Sequence, residues 1–192
     1  MAAAPGRGRR YDPDRRQRIV DAAIRVVEQG GIAALSHRSA AREADVPLGS
    51  TTYHFATLDD LLGAALRQVN GEWLAGVEAW ERGLPPDAPL ADEVTRYVES
   101  VVTRDRARVE LEYDLYLAAL RREAVRPLAA DCLDHTVRLL RRRTPDDASA
   151  RALAALIDGL VLQLLLTGRP FDAEETRAAV AGVIGGPESA DG

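Results

Sequence analysis

Apolar residues recur at helical spacing along most of the chain. In the first third, Ile19, Ala23, Val26 and Val27 follow one another at intervals that place them on one face of a helix. Alternating runs of β-branched and aromatic residues, which mark strands, are almost absent, whereas Ala, Leu, Arg and Glu are abundant. The pattern therefore predicts an all-α fold.

Capping residues, prolines and glycines divide the chain into about nine helices. Asp12 as N-cap and Pro13 at the first helical position start the first helix, and Thr57 with Asp60 forms an acidic capping box for the fourth. Thr144, followed by a proline, starts the eighth helix in the same way. The predicted helices cover residues 13–30, 37–44, 48–54, 58–83, 90–104, 106–123, 127–142, 145–167 and 173–184.

The second and third helices are short and are joined by the tight turn EADVP. Val46 precedes Pro47 and is therefore pushed out of the helical region. A helix, a tight turn and a short helix form the helix-turn-helix that reads DNA, with the N-terminal end of the second helix facing base edges. Leu48, Gly49, Ser50 and Thr51 occupy that end, and Thr52, Tyr53 and His54 follow where side chains commonly reach phosphates.

Charge is distributed unevenly along the chain. Residues 1–58 hold nine Arg and six acidic residues, whereas residues 59–192 hold sixteen Arg and twenty-four acidic residues. A basic N-terminal part on an acidic body favours an anionic partner, such as DNA, at that end. Residues 1–12 are expected to form a disordered basic arm, and residues 186–192 a disordered tail.

Several protein classes are disfavoured by what the sequence lacks. Cys132 is the only cysteine, so the chain cannot form an internal disulfide and suits a reducing cytoplasm. The apolar stretch 152–166 is short for a membrane span and contains Asp158 and Gln163, so we predict a buried protein helix and no membrane association. No metal-ligand spacing, phosphate loop or Gly-x-Ser-x-Gly motif is present, so we predict neither a cofactor nor enzymatic activity.

The segment VPLGSTTYHFATLDDLL, residues 46–62, resembles the segment that defines the TetR family of bacterial regulators. The resemblance extends back to about residue 15 through the first two helices. It implies a dimeric, all-helical, ligand-responsive regulator, with a helix-turn-helix DNA-binding domain at residues 13–58 and a ligand-binding and dimerisation domain at residues 59–185. Two positions depart from the family pattern, because Thr52 stands where the family has Tyr and Leu58 where it has Lys.

The resemblance also implies which residues meet DNA. It places Arg38 where the family's second helix contacts DNA, and Arg suits base reading because Arg–guanine contacts are the commonest specific ones. Tyr53 either contacts DNA or packs in a small aromatic core with Phe55. The expected DNA-binding residues are His37, Arg38, Leu48, Gly49, Ser50, Thr52, Tyr53 and His54, the last at a phosphate contact.

In the TetR family, the fourth to eighth helices enclose an effector pocket. The candidates here are aromatic and polar residues on otherwise apolar helical faces, and together they indicate a mostly apolar pocket with a few hydrogen-bonding groups. The expected ligand-binding residues are Trp73, Tyr97, Val101, Tyr113, Tyr116, Leu120, Cys132 and His135.

The stretch 152–166 is apolar nearly all round, and such a helix must be covered on both sides. Either it lies at the centre of a monomeric bundle, or one side faces its own domain and the other a second subunit. The family resemblance and the need to read two half-sites favour a four-helix dimer interface. The expected interface residues are Leu156, Gly159, Leu160, Gln163, Val180, Val183 and Ile184.

We therefore predict a cytoplasmic DNA-binding transcriptional regulator, a homodimeric repressor released from a palindromic operator by a small molecule. Two alternatives remain open at this point. One is a helical-bundle ligand carrier or enzyme whose N-terminal helices only pack, and the other is a regulator without an effector.

Overall fold

The computed structural model describes residues 13–104 and 106–185, so the predicted basic arm and C-terminal tail lie outside the described residues. Within those ranges the chain forms nine α-helices, one short 3-10 helix and no strand, which confirms the all-α prediction. The α-helices are α1 (Arg15–Gly30), α2 (His37–Glu43), α3 (Leu48–His54), α4 (Leu58–Gly83), α5 (Leu90–Arg104), α6 (Arg106–Ala119), α7 (Arg126–Leu140), α8 (Asp147–Thr167) and α9 (Ala173–Ile184).

The chain divides into two compact units between Ala65 and Leu66. The division falls inside α4, a few residues after the domain boundary expected at residues 58–59. In the first unit, α1 packs against α2 and α3. In the second unit, α5, α8 and α9 pack on one another, and α7 packs against α8.

Local capping chemistry fixes the helix starts that the sequence predicted best. Ser36 Oγ accepts a hydrogen bond from the Ser39 N–H at 3.0 Å, and Ser39 Oγ accepts one from the Ser36 N–H at 2.9 Å, so both residues cap α2 reciprocally. Asp60 Oδ2 accepts from the Thr57 N–H at 2.8 Å, and Thr57 Oγ1 accepts from the Asp60 N–H at 3.1 Å. The predicted capping box at the start of α4 is therefore confirmed.

Several helix ends differ from the prediction, and the ends of α1, α8 and α6 show why. Helix α1 begins at Arg15, after a turn that includes Pro13. Helix α8 begins at Asp147 because the Asp146 carboxylate, not the Thr144 hydroxyl, accepts the hydrogen bond from the Ser149 N–H, at 2.7 Å. Helix α6 ends at Ala119, earlier than expected, because successive three-residue turns close the chain over residues 120–122.

The core of the first unit is built from α1, α2 and the end of α3. Ile19 and Ala40 are completely buried, and Leu35 and Phe55 are 5% and 2% exposed. Burial of these apolar side chains supplies most of the driving force that holds three short elements together. An ion pair between Arg25 Nε and Glu43 Oε1, at 2.7 Å, adds a surface link between α1 and α2.

The C-terminal end of α4 is held to the end of α7 by an arginine. The Arg143 guanidinium donates hydrogen bonds to the carbonyl oxygens of Glu81 at 3.3 Å, Leu84 at 3.3 Å and Pro85 at 3.0 Å. It also donates to Glu81 Oε1 at 3.3 Å, and Glu81 is itself buried. Arg143 therefore joins the end of α4 and the loop that follows it to the end of α7.

Helix α8 is the central apolar element of the second unit. At 21 residues it is longer than the apolar stretch 152–166 from which the sequence expectation was drawn. Its length and composition alone would allow a membrane span, with a mean hydropathy of 1.7 over its most apolar window. In the second unit its inward face is packed in the core with α5 and α9. The buried residues Val94, Val98, Leu153, Val161 and Val180 form the middle of this core.

We expect Leu153→Ala to lower the free energy of unfolding by about 2–5 kcal/mol, because it leaves a cavity in a fully buried position. The matched control, Leu120→Ala, removes the same atoms from a side chain that is 66% exposed and should change stability by about 0.5 kcal/mol or less. Urea unfolding followed by circular dichroism measures both. Equal losses in the two variants would contradict the packing described here.

Candidate nucleic-acid interface and ligand cavity

Helices α2 and α3 of the first unit are joined by a tight turn that starts at Ala44. Asp45 adopts a positive φ of 52°, which a short polar side chain tolerates better than a branched one. The Val46 N–H then donates to the Ala41 carbonyl oxygen at 3.0 Å, closing the turn before Pro47. Two helices of seven residues joined in this way form the helix-turn-helix that the sequence predicted.

One face of α3 is exposed. Tyr53 is 84% exposed and Leu48 is 44% exposed, and Gly49 and Thr52 lie on the surface as well. The structure therefore rules out the alternative that Tyr53 packs in the core, and its ring lies edge to face with that of the neighbouring His54, with 5.1 Å between centroids. Ser50 and His54 are half-buried.

The opposite face of α3 packs inward and corrects one expectation. Thr51 was expected among the groove-facing residues, but it is completely buried, and its hydroxyl donates to the Leu48 carbonyl oxygen at 2.7 Å. Phe55 anchors the end of the helix beneath the Arg16 guanidinium, which lies 4.9 Å from the ring centroid. Buried Thr51 and Phe55 thus fix which face of α3 is left open.

The two expected contacts on α2 have different surroundings. Arg38 is exposed, which leaves its guanidinium free to reach a partner outside the chain. His37 is half-buried, and its buried Nδ1 has no hydrogen-bond partner among the described residues. Arg38 is therefore the better placed of the two for a contact with DNA.

The second unit contains a cavity of about 90 Å³ between helices α4 to α8. Its walls are mainly aromatic and aliphatic, and they carry a small number of polar groups. The lining residues are Asn70, Trp73, Tyr97, Val101, Val109, Glu112, Tyr113, Tyr116, Cys132, Leu133, Thr136, Ile157, Asp158 and Val161. A mostly apolar cavity with a few converging polar groups is typical of a small-molecule site.

Most of the expected ligand-binding residues line this cavity, and two do not. Leu120 lies just beyond the end of α6 and is 66% exposed. His135 points to α4, where its Nε2 lies 2.9 Å from Glu78 Oε1. The expectation for Leu120 and His135 failed because a shared helical face does not determine which neighbouring helix covers each position.

The sequence analysis missed the acidic residues of the cavity. Glu112 was passed over among the many charged residues of α6, and Asp158 was noted only as a reason against a membrane span. The signal for Asp158 was available, since it is the one acidic residue in the apolar stretch 152–166. A carboxylate in such a helix is costly unless it serves a partner or a ligand.

The two carboxylates differ in their partners. Glu112 Oε1 lies 3.0 Å from Arg108 Nε, and the same guanidinium reaches Glu72 Oε2 on α4 at 2.8 Å. Asp158 interacts instead with Tyr113, whose hydroxyl lies 3.2 Å from the Asp158 carbonyl oxygen and 3.5 Å from its Oδ1.

Desolvation shifts the titration of the groups around Asp158. Asp158 is an exposed residue, but neighbouring protein atoms partly desolvate its carboxyl group and raise its pKa, and the hydrogen bond from Tyr113 opposes this shift. Burial likewise raises the pKa of Tyr97 to about 12, of Tyr116 to about 12 and of the Cys132 thiol to about 11. The tyrosines and the thiol therefore remain neutral near pH 7.

A smaller cavity of about 40 Å³ adjoins the first one. Trp73, Tyr97 and Asp158 line both, whereas Trp80 lines only the smaller one. The rings of Trp80 and Tyr97 lie 5.2 Å apart between centroids. Aromatic faces thus surround the region next to the Asp158 carboxylate.

Comparison with known proteins decides the family. A family profile described as "Tetracyclin repressor-like, C-terminal domain" matches residues 85–186. The HTH-type transcriptional regulator BetI 2 of Chromohalobacter salexigens is 30% identical over 177 residues, covering 86% of this chain and 84% of the relative. The chain belongs to the TetR family. It is accordingly a transcriptional regulator and not an enzyme.

Solved structures of TetR-family proteins match the whole architecture. The TetR-family member SCO1917 from Streptomyces coelicolor A3 is 57% identical, with a TM-score of 0.78 over 90% of this chain and 99% of that chain. The multidrug binding protein EbrR complexed with ethidium is 56% identical, with a TM-score of 0.80 over 88% of this chain and 98% of that chain. Regulators of the TetR family bind DNA and small-molecule effectors and act as dimers.

The residues expected at a TetR-family dimer interface divide between core and surface. Val180 is completely buried and Leu160 is 9% exposed, and both side chains are covered within the chain. Leu156, Val183 and Ile184 are half-buried and pack against the same core. Gly159 and Gln163 remain accessible, and a Cβ added at Gly159 would meet nothing within 4 Å.

Helix α8 also carries a surface stripe of small and apolar residues. Its members recur every three or four residues, so they share one helical face. All are apolar or glycine, and each is exposed or half-buried. We call this the α8 stripe: Ala148, Ala152, Ala155, Gly159, Leu162 and Leu166.

Proposed function

We propose that the chain is a homodimeric repressor that binds a palindromic operator through α2 and α3 and leaves it when a hydrophobic cation enters the cavity. The observation that carries this proposal is the chemistry of the cavity, whose aromatic walls contain the two carboxylates Glu112 and Asp158. Aromatic faces and carboxylates both attract cations in a desolvated site.

The relatives support this class of effector. The EbrR structures complexed with ethidium, proflavin and malachite green are 56–57% identical to this chain. Those three ligands are flat or propeller-shaped aromatic dyes that carry positive charge. A cavity lined by Trp73, Tyr97, Tyr113 and Tyr116 suits the same chemistry, since ring faces stack on aromatic cations.

The exposed face of α3 supports the proposed DNA contacts. Three residues of this face lie on the surface: Leu48, Gly49 and Thr52. They offer methyl groups and one hydroxyl, and glycine adds no bulk, which suits close approach to the major groove. The Tyr53 side chain projects from this face. It can supply the long side chain that the family has at the position of Thr52, which is shorter than the family's Tyr. Exposed Arg38 supplies a guanidinium that can reach guanine, and half-buried His54 is proposed as a phosphate contact.

The α8 stripe supports the proposed dimer. A run of small residues followed by Leu162 and Leu166 is apolar but not covered by its own chain, and Leu166 is 78% exposed. Small residues let two helices approach closely, and a second copy would cover this face with the same surface. A two-fold dimer would present two α3 helices to two half-sites of a palindrome.

The two alternatives that the sequence left open, a carrier or enzyme and a regulator without an effector, are both less well supported than this proposal. Family membership disfavours a carrier or enzyme in which the N-terminal helices only pack. A regulator without an effector would be favoured by a filled interior, whereas a cavity lined by polar and aromatic groups favours ligand binding.

Capture of genomic fragments by the purified protein should yield one palindromic motif, which supplies the operator. We then expect Arg38→Ala to reduce the preference for operator over a scrambled sequence by about 1–3 kcal/mol, because it removes a base contact. The matched control is Arg138→Ala, an exposed arginine on α7. Fluorescence anisotropy at several salt concentrations measures both. Unchanged discrimination in the Arg38 variant, or capture without any preferred motif, would contradict the proposal.

We expect Ala155→Arg to convert a dimer into a monomer, because it places a charged side chain in the middle of the α8 stripe. Sedimentation velocity measures the mass of the species. The control, Leu120→Arg, puts the same charge on another exposed position of the second unit and should leave the dimer intact. A monomeric wild-type protein, or a dimeric Ala155 variant, would contradict the assignment of the stripe.

A further inference from the structure

The two carboxylates of the cavity are not equivalent, and the difference lies in their counter-ions. Arg108 contacts Glu112 through Nε and Glu72 through a terminal nitrogen, at 3.0 Å and 2.8 Å. The positive charge that balances Glu112 is therefore already built into the chain. A cationic ligand at Glu112 would have to compete with an arginine held in place from two sides.

Asp158 has no such counter-ion among the described residues. The polar group that reaches its carboxylate is the neutral Tyr113 hydroxyl, at 3.5 Å from Oδ1. Its neighbours on α8 include Ile157 and Val161, which are apolar cavity-lining residues. Asp158 is itself exposed. A carboxylate that lines the cavity, lies next to apolar side chains and has no ionic partner is available to pair with an incoming cation.

The position of Asp158 strengthens this reasoning. It lies on the wall that the two adjoining cavities share, together with Trp73 and Tyr97. A flat aromatic cation that enters either cavity would therefore meet ring faces and the Asp158 carboxylate at the same time. Glu112 lines only the larger cavity.

We infer that Asp158 is the specificity-determining residue of the effector site: it selects positively charged aromatic ligands, whereas Glu112 is neutralised internally by Arg108. The inference rests on the proposed function, because it assigns one residue of the same cavity. The bound cation acts as the counter-ion of the Asp158 carboxylate, and the surrounding aromatic rings add affinity for charged and neutral aromatic ligands.

The inference carries a pH dependence of defined sign. Burial raises the pKa of the Asp158 carboxyl group, so on acidification it is protonated earlier than an ordinary aspartate and its attraction for a cation is lost. Affinity for a fixed cation should therefore rise with pH through that transition. The other titratable groups that face the cavity are Glu112, Tyr97, Tyr113, Tyr116 and Cys132, and the Glu78–His135 pair joins α4 to α7 nearby.

The test is Asp158→Asn, measured with ethidium in the absence of DNA, because ethidium carries a fixed charge and its fluorescence reports binding. We expect the affinity for ethidium to fall by about tenfold or more. Affinity for a neutral fluorescent probe, N-phenyl-1-naphthylamine, should change by less than about threefold if the cavity is intact. Asp114→Asn, the same substitution at an exposed position on α6, is the matched control and should leave ethidium binding unchanged.

Two further measurements sharpen the assignment. The double variant Arg108→Gln with Glu112→Gln removes a balanced pair and should weaken ethidium binding less than Asp158→Asn does. The rise of ethidium affinity with pH should persist in His135→Gln and be lost in Asp158→Asn. A greater loss in the double variant, or a pH dependence that survives in Asp158→Asn, would overturn the inference.

The outcomes separate this inference from the proposed function. If Asp158→Asn binds ethidium as the wild type does, Asp158 does not select cations, while a cation-released repressor remains possible. If wild type binds the neutral probe but not ethidium, the inference and the proposed class of effector both fail. If wild type binds cations through Asp158 yet keeps its operator, the assignment of Asp158 stands and the proposed release mechanism fails.

Discussion

The structure of the second unit depends on how the apolar surface of α8 is covered. One face of the helix lies in the core with α5 and α9, around Leu153 and Val161. A second face forms a wall of the cavity and carries Asp158. The third face is the α8 stripe, which the chain itself leaves open. Because one helix contributes to all three, the core, the cavity and the proposed interface are fixed relative to one another within this unit.

The cavity combines apolar burial with unequal electrostatics. Aromatic and aliphatic side chains provide most of its lining, and burial raises the pKa values of Tyr97, Tyr116 and Cys132 further above neutral pH. Glu112 has an arginine partner, whereas Asp158 has a tyrosine hydroxyl. Such a site would discriminate charge at one point and accept varied shapes elsewhere. This arrangement fits a regulator that responds to a chemical class of ligand more than to one compound.

Sequence reasoning succeeded where the determining interactions are local. Ser36 and the Thr57–Asp60 pair are visible as caps because their partners lie three residues away. It failed where packing between helices that are distant in sequence determines which side chains are covered. Thr51 faces α2 and not the surface, and Val180 faces the core of its own chain. The start of α8 was predicted two residues early, with Thr144 as the cap, because Thr144 and Asp146 are both residue types that cap helices well. The role of Asp158 was missed because its carboxylate, alone in an apolar helix, was considered only as evidence against a membrane span and not as a candidate ligand contact.

The central claim is that occupation of the cavity weakens operator binding, and thermodynamic linkage tests it most directly. Tetraphenylphosphonium suits the measurement because it is a hydrophobic cation that does not intercalate into DNA. The operator Kd would be measured with and without saturating cation, and the Kd of the cation with and without operator. The account predicts that both constants rise by the same factor, about 5- to 150-fold. Binding of the cation with no change in the operator Kd would contradict it.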